Sequence, residues 1–153
     1  MASIISILKL IQPKHPEITF IPGDRFAWSP SKNAIYYVDS QDKNDVSLLI
    51  HELAHGVLGH TNYTRDIELL QMERQAWEKA KEIGNSFDQP ISDDYIEESL
   101  DSYREWLHKR GVCPKCQASG MQKTTDSYTC LACNAVWQVN DARGCELRRY
   151  LQN

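Results

Sequence analysis

The chain has 153 residues and a formal charge of −4, with 25% charged and 41% hydrophobic residues. These proportions suit a globular protein of one modest domain with an appendage. No internal repeat or low-complexity tract is present, and no apolar run approaches the roughly 20 residues that a membrane-spanning helix needs.

In chain order, Ile4, Ile7, Leu8 and Ile11 mark a short amphipathic helix. The start of the chain has no basic leader, Lys9 interrupts its apolar run, and no small-residue cleavage site follows, so a cytoplasmic location is expected. Glu17 to Ile21, Arg25 to Trp28 and Ala34 to Val38 read as short strands rich in β-branched and aromatic residues. Pro30-Ser31-Lys32-Asn33 suits the turn between the last two. A short antiparallel sheet is expected, and one of its strands could pair with an extended peptide.

From Asn44 to Leu58 the residues Val46, Leu49, Ile50, Leu53 and Val57 make one apolar stripe, so this segment is expected to be an amphipathic helix docked on a core. Asn44 or Asp45 is expected to cap its start, while Gly56 and Gly59 loosen its end. Within this helix is the run His51-Glu52-Leu53-Ala54-His55, whose two histidines lie opposite the stripe, near Leu48. Positions i and i+4 sit about 40° apart around a helix and roughly 6 Å along it, so both imidazoles can reach one ion. Glu52 points about 100° away from His51, outside the coordination shell but able to lean over a bound water. This is the arrangement of metal-assisted hydrolysis with a general base.

A catalytic zinc normally takes three protein ligands, so a third is required. His60 would sit about 140° from His55 if the helix ran on, and it could return only if the chain broke at Gly59. It is read instead as a helix-terminal residue favoured by the dipole. The next helix offers more: Thr64 is its expected N-cap, Asp66 and Glu68 fill the first turn, Lys79 and Lys81 the last, and Gly84 marks the stop. On a helical wheel Leu69, Leu70, Met72, Ala76, Trp77, Ala80 and Ile83 share one side, and Glu73 falls within that arc. A carboxylate there must be paired, protonated or bound to a cation. Glu73 is therefore the expected third ligand, with an ion pair to Arg74 or Arg104 as the simpler alternative. Asp66 also faces inward, where capping explains it.

Gly84 to Ile91 reads as a polar loop containing Pro90, after which Ser92 caps a fourth helix with Ile96, Leu100, Tyr103 and Leu107 inside and Gly111 at its end. Beyond it, Cys113-Pro114-Lys115-Cys116 and Cys130-Leu131-Ala132-Cys133 form two CxxC pairs at the spacing of a four-cysteine structural zinc site. Tyr128, Val136, Trp137 and Val139 would cover it. Disulfides are the alternative, but they need an oxidising compartment. Without metal, a segment this small buries too little to fold. Cys145 is left over and reads as a free thiol. Residues 109 to 153 hold seven Lys and Arg against three acidic residues, about +4, which leaves about −8 on residues 1 to 108. Lys109, Arg110, Lys115, Lys123, Arg143, Arg148 and Arg149 make nucleic-acid binding through this basic region possible.

The run HELAHGVLGH, followed by a helix carrying Glu73-Arg74-Gln75-Ala76-Trp77, resembles the ImmA/IrrE family of small bacterial and phage gluzincin-type metallopeptidases. The resemblance covers roughly residues 1 to 84. It implies that His51, His55 and Glu73 hold zinc, that Glu52 is the catalytic base, and that the target is a protein, often a transcriptional repressor. The cysteine module departs from that pattern. SprT-like proteases, which act on DNA-linked proteins, share the order of an HExxH helix and a C-terminal zinc ribbon, with a third histidine as ligand.

The expectation is thus an α+β chain. A zincin-like metallopeptidase domain occupies residues 1–110, with an N-terminal helix, a short antiparallel sheet, the HExxH helix and the ligand helix. A zinc ribbon and tail occupy 111–153. One catalytic and one structural zinc are expected, acting on a protein or peptide substrate without a membrane. A non-catalytic DNA- or protein-binding module with a vestigial zincin is the other class considered.

Overall fold

Ser3 starts the first helix: its hydroxyl accepts from the Ser6 N–H at 3.2 Å, and the Ser6 hydroxyl accepts from the Ser3 N–H at 3.0 Å. This reciprocal capping satisfies two amides that a helix start leaves without partners. The computed structural model describes residues 2–141 and 146–152. Cys145, expected as a free thiol, and Arg143 lie outside the described residues. The described residues form an α+β structure with four α-helices and two small sheets. None of these helices is long and apolar enough to cross a membrane.

The elements in chain order are α1 (Ile4–Ile11), a 3-10 turn (Gln12–Lys14), β1 (Thr19–Pro22), β2 (Ala27–Ser29), β3 (Ala34–Tyr37), α2 (Lys43–Leu58), α3 (Asp66–Ser86), α4 (Asp93–Gly111), β4 (Met121–Thr124), β5 (Ser127–Thr129), β6 (Val136–Val139) and β7 (Arg149–Gln152). They divide into two compact units, one of residues 1–62 and 72–96 and the other of residues 63–71 and 97–153.

In the first unit the expected antiparallel sheet is mixed. Its order is β1-β3-β2, with β1 parallel to β3 and only β2 and β3 antiparallel. The turn at 30–33 pairs β2 with β3 as read from sequence, but β1 then lies on the far side of β3, so β2 itself serves as the return connection and β1 must run parallel. The core joins Ile4, Ile7 and Ile11 of α1, Ile35 of β3, Leu49, Ile50 and Leu53 of α2, and Trp77 of α3, all at most 2% exposed.

Several expected boundaries move for local reasons. The N-cap of α2 is Asp42, whose carboxylate accepts from the Asn44 N–H at 2.7 Å; Asn44 and Asp45 already lie inside the first turn. Val57 is 39% exposed rather than part of the buried stripe, because the last turn of α2 runs past the core. Thr64 does not cap α3 through its own oxygen; the Glu68 carboxylate accepts from the Thr64 N–H at 3.1 Å. Gly84 does not stop α3, which continues to Ser86. Its role is clearance: the returning loop donates the Gln89 N–H to the Gly84 carbonyl, and a Cβ there would lie 2.4 Å from the Gln89 carbonyl oxygen. Ser92 caps α4 as expected, accepting from the Tyr95 N–H at 3.0 Å.

In the second unit β4-β5-β6-β7 form an antiparallel sheet around a small core of Cys113, Tyr128, Cys130, Trp137 and Val139. Val136, expected in that cover, is 40% exposed, since side chains alternate along β6 and its neighbour Trp137 takes the inner face. Asp66, at the start of α3, does more than cap. Its carboxylate accepts from the Tyr128 hydroxyl and from the Gln122 amide, and it lies 3.6 Å from the Arg110 guanidinium. Arg110 is 5% exposed and donates to the Tyr128 hydroxyl and the Thr125 carbonyl, so it is removed from the basic surface.

Candidate metal centres

The chemistry of the first unit sits between α2 and α3. His51 and His55, one turn apart on α2, are both buried, and Glu73 projects from α3 to meet them. The two Nε2 atoms are 3.1 Å apart. Glu73 Oε2 lies 2.9 Å from His51 Nε2, and its Oε1 lies 3.2 Å from His55 Nε2. The alternative ion pair of Glu73 with Arg74 or Arg104 is not formed: Arg74 pairs with Glu78, and Arg104 with Glu97 and Asp101.

These three groups could hold a metal ion. The donor set fits: ligands about 2.0–2.1 Å from a tetrahedral zinc stand roughly 3.3 Å from one another, close to the separations seen. Burial alone would raise the Glu73 carboxyl, but hydrogen bonds from His51 and His55, reinforced by their charge, outweigh it and hold Glu73 far below the usual carboxylate range. A buried, ionised carboxylate facing two imidazole nitrogens is compatible with a bound cation in its electrostatics as well as its geometry.

Glu52 is placed by β2. The backbone N–H of Trp28 donates to Glu52 Oε2 at 2.8 Å, and the Trp28 indole N–H donates to the His60 carbonyl at 2.9 Å. Gly56 lets the indole lie close, since a Cβ there would stand 3.1 Å from two ring carbons. Burial pushes the Glu52 carboxyl up, against the pull of His51, His55 and the Trp28 N–H. A carboxyl so raised is better matched to proton transfer near neutrality.

His60 is not one of the three converging groups. The chain does break at Gly59, whose φ of +68° is the left-handed conformation that glycine adopts without cost. That break swings the His60 ring back, but onto the outer nitrogen of His55: the two Nδ1 atoms are 2.9 Å apart. His60 Nε2 in turn reaches Gln75 Oε1 at 3.2 Å. Sequence reasoning assigned no site role to Trp28, Gln75 or Trp77. Trp77 stacks on His51, and its position on the apolar arc of α3 was the available signal.

In the second unit Cys113, Cys116, Cys130 and Cys133 gather within one cluster that could hold a metal ion such as zinc, compatible with a ribbon-type site. Cys113 and Cys133 sulfurs are 3.6 Å apart and those of Cys116 and Cys130 3.5 Å; the edges of a tetrahedron with Zn–S of about 2.3 Å are roughly 3.8 Å. All four thiols are free, so the disulfide alternative is not adopted. The two CxxC loops share one backbone design. Gln117 and Asn134 N–H bond the carbonyls of Cys113 and Cys130, and the N–H groups of those cysteines bond the carbonyls of Ala118 and Ala135. Burial would raise Cys113, but the N–H groups of Cys116 and Lys115 aimed at its sulfur bring it down to about 6. The Ala135 N–H favours the Cys133 thiolate, yet burial and the three neighbouring sulfurs push it up to about 12. Four sulfurs this close together can all ionise only around a cation.

No protein-family model, curated protein or solved structure matches the chain. The functional reading therefore rests on the two clusters and the residues around them.

Proposed function

We propose that the chain is a zinc-dependent peptidase with a gluzincin-type centre, similar to ImmA/IrrE metallopeptidases, carrying a zinc ribbon as a structural appendage. The observation that carries this reading is the convergence of His51 Nε2, His55 Nε2 and the Glu73 carboxylate, with Glu52 beside them on the same helix. Zinc held there would supply Lewis-acid activation of the scissile carbonyl and bring the pKa of a water toward about 7. Glu52 takes the proton of the attacking water and returns it to the departing amine. Trp28, through its backbone N–H, holds one oxygen of the Glu52 carboxylate against β2. The engagement of Glu73, and of His60 with the outer nitrogen of His55, supports a glutamate-ligand centre over the three-histidine pattern of SprT-like proteases.

The test is hydrolysis of a mixed peptide library and of unfolded casein by zinc-loaded protein. Wild type should cleave, and Glu52→Gln should lose at least about 100-fold in rate while still binding metal. Cleavage by Glu52→Gln at the wild-type rate would overturn the role of the base. Absence of any cleavage by fully metallated wild type would leave the vestigial, non-catalytic reading standing instead.

A further inference from the structure

The contacts behind His55 have a direction. Gln75 Oε1 can only accept, so His60 Nε2, 3.2 Å away, carries a proton and donates it. A neutral imidazole has one N–H, which leaves His60 Nδ1 as an acceptor. His55 Nδ1, 2.9 Å from it, must therefore be the donor. With a proton held on Nδ1, His55 can offer the lone pair of Nε2 to a metal ion; in metal-free protein the Glu73 carboxylate, which accepts from that same nitrogen, pulls toward the opposite tautomer, and the contact to His60 opposes it. Metal ligation requires the Nδ1-protonated tautomer, and ligating histidines generally have it fixed by a partner on the other nitrogen. The His51 ring has no such help, because its buried Nδ1 has no hydrogen-bond partner.

We propose that Gln75, acting through His60, is a positioning residue that biases His55 toward its metal-binding tautomer. This rests on reading the triad as a metal centre. Gln75 lies on the exposed face of α3, two residues after Glu73, and touches none of the three donor groups. The turn at Gly59 is what makes the relay possible, since it brings the His60 backbone N–H to the His55 carbonyl at 3.0 Å and the two rings together. Trp28 pins the same residue from the other side through the His60 carbonyl.

The experiment measures zinc affinity of the full chain, by competition with a chelator, for wild type, Gln75→Met, Gln75→Glu, His60→Ala and the double variant. Gln75→Met is neutral, similar in size and on the surface, so it should fold normally. Loss of such an outer partner is expected to weaken binding at the histidine site about ten-fold. Gln75→Glu keeps the acceptor and should restore affinity to wild type or better. In the His60→Ala background, Gln75→Met should have no further effect, because the two act in series. Nitrogen-15 spectra of the imidazole rings in metal-free protein give a readout independent of activity: the share of His55 protonated on Nδ1 should be larger in wild type than in Gln75→Met.

Unchanged affinity in Gln75→Met, equal weakening by Met and Glu, or a share of Nδ1-protonated His55 no larger in wild type than in Gln75→Met would each overturn the inference. Zinc bound tightly with a flat Gln75 series sinks the relay and spares the peptidase reading. The expected series in a protein that cleaves nothing does the reverse.

Discussion

Trp77 lies almost flat against His51, with ring centroids 4.0 Å apart and planes 20° from parallel. Since His51 Nδ1 has no hydrogen-bond partner, the indole face shares with the Glu73 contact at Nε2 the task of fixing that ring. Trp77→Phe keeps an aromatic surface and should hold zinc within a few-fold of wild type. Trp77→Ala removes a side chain that is 2% exposed and should cost about 3–5 kcal/mol of stability together with most of the zinc affinity of this site. Denaturant unfolding and chelator competition on the two variants separate the packing effect from the orienting one.

Metal content should be about two zinc ions per chain, one abolished by His51→Ala or Glu73→Ala and the other by Cys113→Ser. Chelation should act unequally. The cysteine module rests on five buried residues, so its amides from Cys113 to Val139 should lose protection from hydrogen exchange when metal is removed. The amides of α1 and α2, which rest on a larger apolar core, should stay protected.

The CxxC loops contain two left-handed residues, Gln117 at φ +66° and Asn134 at φ +62°. Asparagine tolerates this backbone and glutamine does so less readily. Gln117→Gly should therefore stabilise the zinc-loaded protein by about 0.5–1 kcal/mol, read from its denaturation midpoint, whereas Asn134→Gly should change little. Gly120 is the opposite case. A Cβ there would lie 2.3 Å from the Trp137 ring, so Gly120→Ala should destabilise the module measurably.

Tyr128 gives a pH prediction. Burial and the Asp66 carboxylate raise its phenol well above the ordinary value of 10.0, against a weaker opposing pull from Arg110. The neutral phenol donates to Asp66, so its contribution to folding is complete below pH 10. That contribution should be lost as pH rises through 10 toward the folded value, because the unfolded state ionises first. Alkaline unfolding followed by tyrosinate absorbance should show this loss in wild type and not in Tyr128→Phe, which should be less stable at neutral pH by about 1–3 kcal/mol.

What the sequence made legible was whatever repeats at short range. The i, i+4 histidines, the carboxylate inside the apolar arc of α3 and the paired CxxC loops follow from helix geometry and ligand spacing, and the structure brings each set together. Contacts between distant segments were not legible. Nothing local tells that a backbone N–H of β2 would seek Glu52, or that a left-handed turn at Gly59 would send His60 to the rear of His55. The parallel pairing of β1 was missed for the same reason, since strand order depends on which partner β3 takes. The strand β7 was also missed; its four residues are all exposed, so no alternation of apolar and polar side chains announces it.

The strand β2 has a neighbour on one side only, and three residues in length. In an antiparallel ladder alternate residues turn their amides outward, and the middle residue, Trp28, spends its outward N–H on Glu52. The Glu52 carboxylate thus covers the one outward amide at the middle of this edge, a group that could otherwise pair with another strand. Glu52→Gln retains an oxygen to shield that amide and should stay monodisperse. Glu52→Ala uncovers it, and light scattering at rising concentration should register self-association in that variant alone.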